Sequence, residues 1–322
     1  MAGTVAREAG GGTGAVEPGP FDLTHAPAIG VAEPLAPGLR VVTAPNGGPM
    51  TFTGTRSYVL GTGEVAVIDP GPDDPRHLAA LAAAVAGERV AAVLVTHAHR
   101  DHSAGAAAFA ARVGAPVLAH GDPAGARSPA MAALAATPGI GGGEGIDPGF
   151  RPDERIGEGR VIAGPGWTLT ALATPGHTAD HLSFAWAEGD ALFSGDHLMG
   201  WATTLISPPD GDLGAFRASV ARVIARGDAV LYPGHGAPVG DPAGLARRVL
   251  AHRDRREAQI RAALTAGPST VPALVAALYA DVDPRLHPAA ARNVLAHLID
   301  LTERGVVAPD GPVGPLSVWA LA

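Results

Sequence analysis

Cysteine is absent from this sequence, which excludes disulfide bonds, thiolate metal ligands and a cysteine nucleophile. Lysine is absent as well, and aromatic residues make up only 4% of the 322 residues. No apolar run reaches the roughly 18–20 residues of a membrane span, and residues 1–20 lack the continuous apolar segment of a secretory signal. We therefore expect a cytoplasmic protein without membrane association, with a flexible tail at residues 1–20.

The balance of charge disfavours a surface built broadly for nucleic acid. The formal net charge is −8, and residues 1–240 carry 23 acidic side chains against 14 arginines. Residues 241–322 are nearly neutral, with nine arginines and eight acidic residues. Hydrophobic residues reach 47%, which is enough for one large domain, alone or with a small one.

Strand-like and helix-like segments alternate after the tail, so we predict an α/β fold. Asp74 or Asp73 is expected to cap the first helix, and Ser103 the second. The predicted strands are 51–61, 64–71, 90–97, 116–120, 160–163, 167–173, 182–187, 191–194 and 229–236, and the predicted helices are 74–87, 103–114 and 213–227.

The C-terminal part has the order of a winged-helix module. A long helix from Pro242 to Ala266 precedes two amphipathic helices, 271–282 and 287–305, and a hairpin that turns near Asp310. We therefore predict a catalytic domain at 21–240, a linker helix at 241–266 and a winged-helix-like domain at 267–322.

Residues 121–159 interrupt the alternation with many glycines and prolines, including the run GIGGGEGIDPG, and with a short predicted helix at 129–136. Long loops in compact enzymes often lie over functional sites. The segment is either such a loop or a mobile surface insertion.

Metal-binding side chains are concentrated in THAHRDH, from Thr96 to His102. His97 and His99 lie two apart at the end of a strand, so their side chains leave on the same side. Asp101 and His102 follow where the chain turns, so one short loop supplies donors for two adjacent metal sites.

Three further donors each follow a strand and lie next to a glycine: His177 in TPGH, Asp196 in SGD and His235 in PGHG. Glycine lets the backbone come close to a crowded centre. Each is by itself an ordinary turn residue, but the four signals in this order predict one metal centre. Imidazole and carboxylate ligands favour zinc, with iron or manganese as alternatives.

The motifs THAHRDH, TPGH, SGD and PGHG in series resemble the metallo-β-lactamase superfamily over about residues 40–240. The segments TPGHTADHLSF and HRDRREAQI, with the winged-helix-like tail, resemble its β-lactamase-like protein 2 subgroup. The resemblance implies a four-layer αβ/βα sandwich with two metal ions at the sheet edges. It implies one ion on His97, His99 and His177, a second on Asp101, His102 and His235, and a bridge from Asp196.

Two such ions about 3.5–4 Å apart hold a bridging hydroxide at neutral pH, which we expect to be the nucleophile. Asp101 is expected to ligate one metal and to orient this hydroxide as a proton shuttle. Asp69, before a Pro-Gly turn, is either a hydrogen-bond partner of a ligating histidine or a turn residue.

Four other residues have open roles. His181 and His197 either contact substrate or are hydrogen-bonded without ligating, and the second role is favoured. His120, at the end of a strand, either hydrogen-bonds a metal ligand or has no role in the site, and the second interpretation is favoured. Trp201 either forms a wall of the substrate pocket or belongs to the core.

The substrate class stays open. The resemblance implies that Asp196 disfavours β-lactam hydrolysis, because true β-lactamases of the superfamily generally lack this aspartate. We expect a hydrolase acting on an ester, thioester or lactone-like acyl substrate. The subgroup resemblance implies single-strand endoribonuclease activity as the alternative, and a β-lactamase-like side activity or a metal-binding protein without turnover is a weaker one.

Six arginines between 247 and 261 are either a phosphate-contacting face or, as favoured, a solvated face with pairs such as Arg253–Glu257. The winged-helix-like tail is expected to cover substrate or to mediate homodimer contacts rather than to read a nucleic-acid sequence.

Overall fold

Two β-sheets form the centre of the molecule, for which the computed structural model describes residues 21–322. The predicted tail at 1–20 lies outside these residues. The first sheet is antiparallel from β1 to β4 and parallel from β4 to β7. Its strands follow in spatial order: β1 (Ala32–Ala36), β2 (Leu39–Thr43), β3 (Arg56–Thr62), β4 (Glu64–Ile68), β5 (Arg89–Leu94), β6 (Val117–Ala119) and β7 (Glu154–Arg155).

The second sheet faces the first and contains five strands: β8 (Val161–Gly164), β9 (Trp167–Ala173), β10 (Leu182–Trp186), β11 (Ala191–Gly195) and β12 (Val230–Pro233). Their spatial order is β12-β11-β10-β9-β8. Strands β11 and β12 are parallel, and the other neighbours are antiparallel.

Helices cover the outer face of each sheet. They are α1 (Pro75–Ala84), α2 (Arg100–Ser103), α3 (Ala106–Val113), α4 (Pro129–Ala135), α5 (Leu213–Arg226), α6 (Pro242–Thr265), α7 (Val271–Leu278) and α8 (His287–Glu303). Helices α1 and α3 pack on the first sheet, whereas α5 and the first half of α6 pack on the second. The α/β fold and the four-layer αβ/βα sandwich are confirmed.

Side chains of the central strands alternate between two cores, one between the two sheets and one between the first sheet and its helices. In β3, Tyr58 and Leu60 face the second sheet, whereas Val59 faces the helices. Strands β4 and β5 alternate in the same way. Because strands covered on both faces are apolar throughout, VAAVLV appears in the sequence as a short apolar run.

The predicted helix at 103–114, capped by Ser103, is wrong in its start. The chain forms α2 first and breaks at Gly105 before α3. A Cβ atom on Gly105 would lie 2.9 Å from the Pro72 carbonyl oxygen and from Leu78 Cδ2, so this position is closely packed. Ser103 Oγ instead donates to the His99 carbonyl oxygen.

The predicted cap of α1 is confirmed. Asp74 accepts hydrogen bonds from the backbone N–H groups of Arg76 and His77. A side-chain cap of this kind contributes about 1 kcal/mol to the stability of a helix.

The C-terminal module has its own small sheet, in the order β13 (Ser269–Thr270), β15 (Val318–Leu321) and β14 (Val307–Pro309). Helix α6 belongs to two cores. Leu245 and Val249 pack with α5, whereas Ile260 and Leu264 pack with α7, α8 and Trp319.

The glycine-rich excursion at 121–159 is packed against the rest of the chain. Met131, Leu134 and Ile140 belong to the core of the C-terminal module. At its other end, the Gly145 carbonyl oxygen accepts a hydrogen bond from the Arg100 backbone, beside His99. The segment therefore connects the donor-rich loop with the C-terminal module. Among residues 21–322, the helices lack the combination of length and hydropathy that a bilayer crossing needs.

We expect His297, on α8, to make the protein less stable at low pH. Its ring is fully buried, and neither ring nitrogen has a hydrogen-bond partner within residues 21–322. Burial, followed by the nearby Arg253 charge, lowers the pKa of His297 to about 2. Below about pH 6.5 the unfolded chain therefore binds a proton that the folded chain does not, and stability is lost as the pH falls.

Urea unfolding at pH 7 and pH 5 measures this loss. The wild-type protein is expected to lose about 2 kcal/mol more than His297→Leu over this range. If the unfolding free energies of the two proteins changed equally between pH 7 and pH 5, His297 would be protonated in the folded state at pH 5.

Candidate metal centre

The seven predicted donors meet where the strands of both sheets end. THAHRDH follows β5, and His177, Asp196 and His235 follow β9, β11 and β12. Their ligand atoms form three overlapping groups, within each of which the atoms lie within 4.8 Å of one another. The first group is His97–His99–His177 and the second group is Asp101–His102–His235, and the third set, His97–His102–Asp196, overlaps both.

In the first group, three ring nitrogens converge. His97 Nε2 and His177 Nε2 each lie 3.0 Å from His99 Nδ1. Nitrogens about 2.0–2.1 Å from a tetrahedral ion are roughly 3.3 Å apart, so this spacing fits a shared cation. His177 Nδ1 donates to the Leu205 carbonyl oxygen at 2.8 Å, which leaves the lone pair of Nε2 free for a metal.

The second group converges in the same way, with the opposite ring nitrogens of its histidines facing acceptors. His102 Nε2 and His235 Nε2 lie 3.3 Å apart, and Asp101 Oδ2 is 3.4 Å from the first and 3.2 Å from the second. His102 Nδ1 donates to Asp69 Oδ2 at 2.9 Å, and His235 Nδ1 points to the Gly54 carbonyl oxygen at 3.3 Å. Both histidines therefore present Nε2 toward the centre.

Asp196 lies between the two groups. Its Oδ1 is 3.4 Å from His102 Nε2, and its Oδ2 is 3.4 Å from His235 Nε2 and 3.8 Å from His177 Nε2. Asp196 Oδ1 is buried without a hydrogen-bond partner among residues 21–322. Since an unpaired buried carboxylate oxygen is costly, this atom also fits a bound cation.

The electrostatics differ between the two donor groups. Burial, followed by the His177 charge, lowers the pKa of His99 to about 3. Burial also acts to lower the pKa of His235, but the Asp196 and Asp101 carboxylates outweigh it and raise this pKa to about 9. The carboxylates thus stabilise positive charge at the position where the second group converges.

Asp69 orients two of the histidines. Its backbone has φ of +52°, an unusual conformation for a non-glycine residue that typically costs about 1–3 kcal/mol. Three hydrogen bonds hold it: the Thr96 N–H at 2.8 Å, Thr96 Oγ1 at 2.9 Å and His102 Nδ1 at 2.9 Å. Because Thr96 Oγ1 also lies 3.0 Å from His97 Nδ1, Asp69 acts on His97 as well.

The structure places His181 behind the metal donors. Its Nδ1 lies 2.9 Å from Thr174 Oγ1, and its Nε2 accepts a hydrogen bond from the Asp196 backbone at 3.2 Å. Its ring stacks on that of His97, with centroids 5.0 Å apart. His181 is fully buried, and its described contacts are with Thr174, the His97 ring and the Asp196 backbone.

The other residues with open roles lie outside the three donor groups. His197 is buried with its ring 5.0 Å from Phe216, and His120 is half-buried after β6. Trp201 is half-buried and stacks on Phe52, with ring centroids 5.1 Å apart. A Cβ on Gly236 would lie 3.0 Å from the Trp201 ring, so this aromatic pair borders the segment that carries His235.

The predicted pair between Arg253 and Glu257 is wrong. Glu257 accepts from Arg217 at 3.1 Å and from Arg304 at 2.7 Å. Arg253 is buried and turned the other way, toward Thr204. The pair fails because the Arg253 side chain is buried against Thr204, Asn293 and Phe216, whereas Glu257 is paired with Arg217 and Arg304. The outer face of α6 is nevertheless solvated, since it carries four exposed arginines, Arg247, Arg248, Arg255 and Arg261.

The sequence motifs did not indicate four residues that hydrogen-bond to the donors or to the loop beside them. These are Thr96, Thr204, Leu205 and Asn293. Thr96 is the first residue of the THAHRDH motif, so its position was an available signal. Thr204 and Leu205 lie in the loop after Asp196 and Asn293 lies on α8, and no local pattern marks these three.

At Gly234 the backbone comes close to two of the donors, Asp196 and His102. A Cβ at this position would collide with Asp196 Oδ1 and lie 2.7 Å from His102 Cε1. We expect Gly234→Ala to fold but to lose metal from the second group, because the methyl group occupies space between two donors. Metal content by elemental analysis measures the effect.

Gly240→Ala is the matched control, since a Cβ there meets nothing within 4 Å. Full metal content in Gly234→Ala would mean that the second group does not bind metal in the arrangement described.

Family comparison agrees with this geometry. A model of the metallo-beta-lactamase superfamily matches residues 50–235. This chain belongs to the metallo-β-lactamase superfamily. A beta-lactamase associated winged helix domain matches residues 270–313, which confirms the winged-helix prediction.

Individual proteins also match most of this chain. An atrochrysone carboxyl ACP thioesterase from Paecilomyces divaricatus is 32% identical over 74% of this chain and 68% of its own length. The chain spans about two thirds of the thioesterases of this name that it matches. A beta-lactamase-like protein 2 homolog from Drosophila melanogaster is 31% identical over 81% of this chain and 86% of that protein.

The crystal structure of a metallo-beta-lactamase family protein from Thermus thermophilus covers 89% of this chain and 99% of its own. The two share 27% identity and superpose with a TM-score of 0.70. Together, these matches establish the chain as a metallo-β-lactamase superfamily hydrolase.

Proposed function

We propose that this protein is a dinuclear metal-dependent hydrolase that cleaves an ester, thioester or lactone-like acyl substrate. The observation that carries the proposal is the convergence of seven buried or half-buried donors, with the opposite ring nitrogens of four histidines held by partners. Donors oriented in this way suit two bound cations.

In this proposal the first and second donor groups would each hold one ion, which is zinc in the first place, with iron or manganese as alternatives. His97, His99 and His177 hold one ion, Asp101, His102 and His235 hold the other, and Asp196 reaches both. When bound, the two ions supply a water acidified toward a pKa of about 7 and polarise the acyl carbonyl.

Asp101 is the protein group placed to move a proton. It is the more exposed of the two carboxylates, with 27% of its side chain accessible against 8% for Asp196. Its Oδ2 faces both second-group histidines, and its exposure gives it access to a reacting water. We assign Asp101 to orienting that water and accepting its proton.

The likeness to thioesterases supports the acyl substrate class. The last C-terminal helix supports it as well, because it offers little to a nucleic acid. Every residue from Ala290 to Thr302 on α8 is buried or half-buried, so the last helix of the winged-helix module is closed to a groove. Of the six arginines on α6, Arg253 is buried and Arg256 lies 4.0 Å over the ring of Tyr279, which leaves four exposed arginines for the endoribonuclease alternative.

Hydrolysis of a substrate panel tests the proposal. The metal-loaded protein is incubated with a model thioester, an ester, a lactone and a labelled single-stranded RNA, with Asp101→Asn prepared in parallel. We expect turnover of at least one acyl substrate by the wild-type protein alone. Cleavage of RNA without acyl turnover would replace the acyl proposal with the endoribonuclease alternative.

A further inference from the structure

Arg253 is a buried cation that forms no ion pair with a carboxylate among residues 21–322. Only 3% of the residue is accessible. Burial lowers its pKa to about 10, so the guanidinium is still charged at neutral pH. An unpaired buried charge is costly, and hydrogen bonds to neutral groups compensate for it only in part. We therefore expect the Arg253 guanidinium to have a specific structural role.

Arg253 connects α6 and α8 to one loop. Its Nη1 donates to Asn293 Oδ1 at 3.0 Å, and its Nη2 donates to the Thr204 carbonyl oxygen. Asn293 Oδ1 also accepts the Ile206 N–H at 3.2 Å. The ring of Phe216 lies 5.5 Å from the guanidinium carbon and adds a cation–π contact. The backbone on both sides of Leu205 is therefore held by the C-terminal helices.

The same loop holds a metal donor. His177 Nδ1 donates to the Leu205 carbonyl oxygen at 2.8 Å and lies 3.0 Å from Thr204 Oγ1. These contacts set the direction in which His177 Nε2 points. A continuous path of hydrogen bonds thus runs from α8 through Arg253 and the 204–206 segment to a ring of the first donor group.

We propose that Arg253 and Asn293 are positioning residues for His177, so that helices α6 and α8 complete the metal centre. The planar guanidinium matches this task, because its fork reaches two acceptors on different elements at once. This inference rests on the proposed function, since it takes His177 as a metal ligand.

Asn293 provides the sharper pair of variants, because its side chain is half-buried and its oxygen accepts both hydrogen bonds. Asn293→Leu removes the acceptor, whereas Asn293→Asp keeps it. We expect Asn293→Leu to lower the affinity for metal about 10-fold, the low end of the range for loss of a direct partner of a ligating histidine, because Asn293 acts on His177 only through the 204–206 backbone. Asn293→Asp is expected to retain wild-type affinity, and Arg253→Met to behave like Asn293→Leu.

Metal affinity is measured by competition with a coloured chelator, and ligand geometry by the visible spectrum of the cobalt-substituted protein. Thermal unfolding of the metal-free proteins shows whether each variant is folded. Arg255→Ala, an exposed arginine on the same helix, is the control. If Arg253→Met does not fold, the two Asn293 variants decide the question.

The outcomes separate the two proposals. A wild-type protein that binds no metal contradicts the proposed function, and His177→Ala sets the level expected for a lost ligand. A wild-type protein that binds metal, with folded Asn293→Leu at the same affinity and with the same cobalt spectrum, overturns the positioning role.

Discussion

Asp101→Asn is expected to lower kcat for the acyl substrate by about 10²–10⁴, the usual contribution of a positioned acid–base group. Asparagine keeps the shape of the side chain and one oxygen near His235 Nε2, which lies 3.2 Å from Asp101 Oδ2. It cannot accept a proton from the reacting water. Steady-state kinetics with parallel metal analysis separates lost proton transfer from lost metal.

The control for this experiment is Asp254→Asn, an exposed carboxylate on α6 that pairs with Arg217. It is expected to leave kcat unchanged. A variant at Asp101 with full metal content and a wild-type rate would show that the carboxylate is not the proton acceptor.

Removal of metal is expected to abolish hydrolysis and to lower the thermal midpoint. The apo centre contains two carboxylates and five imidazoles in a space from which most water is excluded, so ions bound to the folded state stabilise it. Binding at a ligand concentration of about 1,000 times Kd corresponds to about 4 kcal/mol. Thermal unfolding and turnover, measured before and after dialysis against a chelator, give both effects.

Addition of zinc, iron or manganese to the dialysed protein identifies the metals that restore activity. Gly234→Ala is the useful comparison, because its stabilisation by metal is expected to be smaller than that of the wild type. Turnover that survives complete loss of metal would contradict the proposed function directly.

The C-terminal module supports the loop that hydrogen-bonds to His177. Its last helix turns Arg292, Asn293 and Ala296 toward the catalytic domain, where Arg292 donates to Ser207 Oγ at 2.8 Å. Arg127 and Asp210 join the excursion to the same loop, with Nη2 and Oδ1 2.6 Å apart. The loop that holds His177 is thus fixed from three directions.

The donors were predictable because each belongs to a short motif at the end of a strand. The histidine motif follows an apolar run, and each further donor lies beside a glycine. Each of these signals therefore lies within a few residues of its donor. Period-two and helical patterns predict the elements for the same reason, since they reflect which side chains are buried by the nearest layer. The sequence by itself therefore determined the sandwich, the winged-helix order and which seven candidate side chains the fold brings together.

Only the tertiary structure decided how the donors are supported. Thr204, Arg253 and Asn293 come from three separate segments, and no local pattern marks their meeting. The break at Gly105 and the direction of Arg253 depend on what packs against them from elsewhere in the chain. Hydrogen bonds between distant segments leave no periodic signal, because their partners are chosen by the geometry of the folded layers and not by neighbours along the chain.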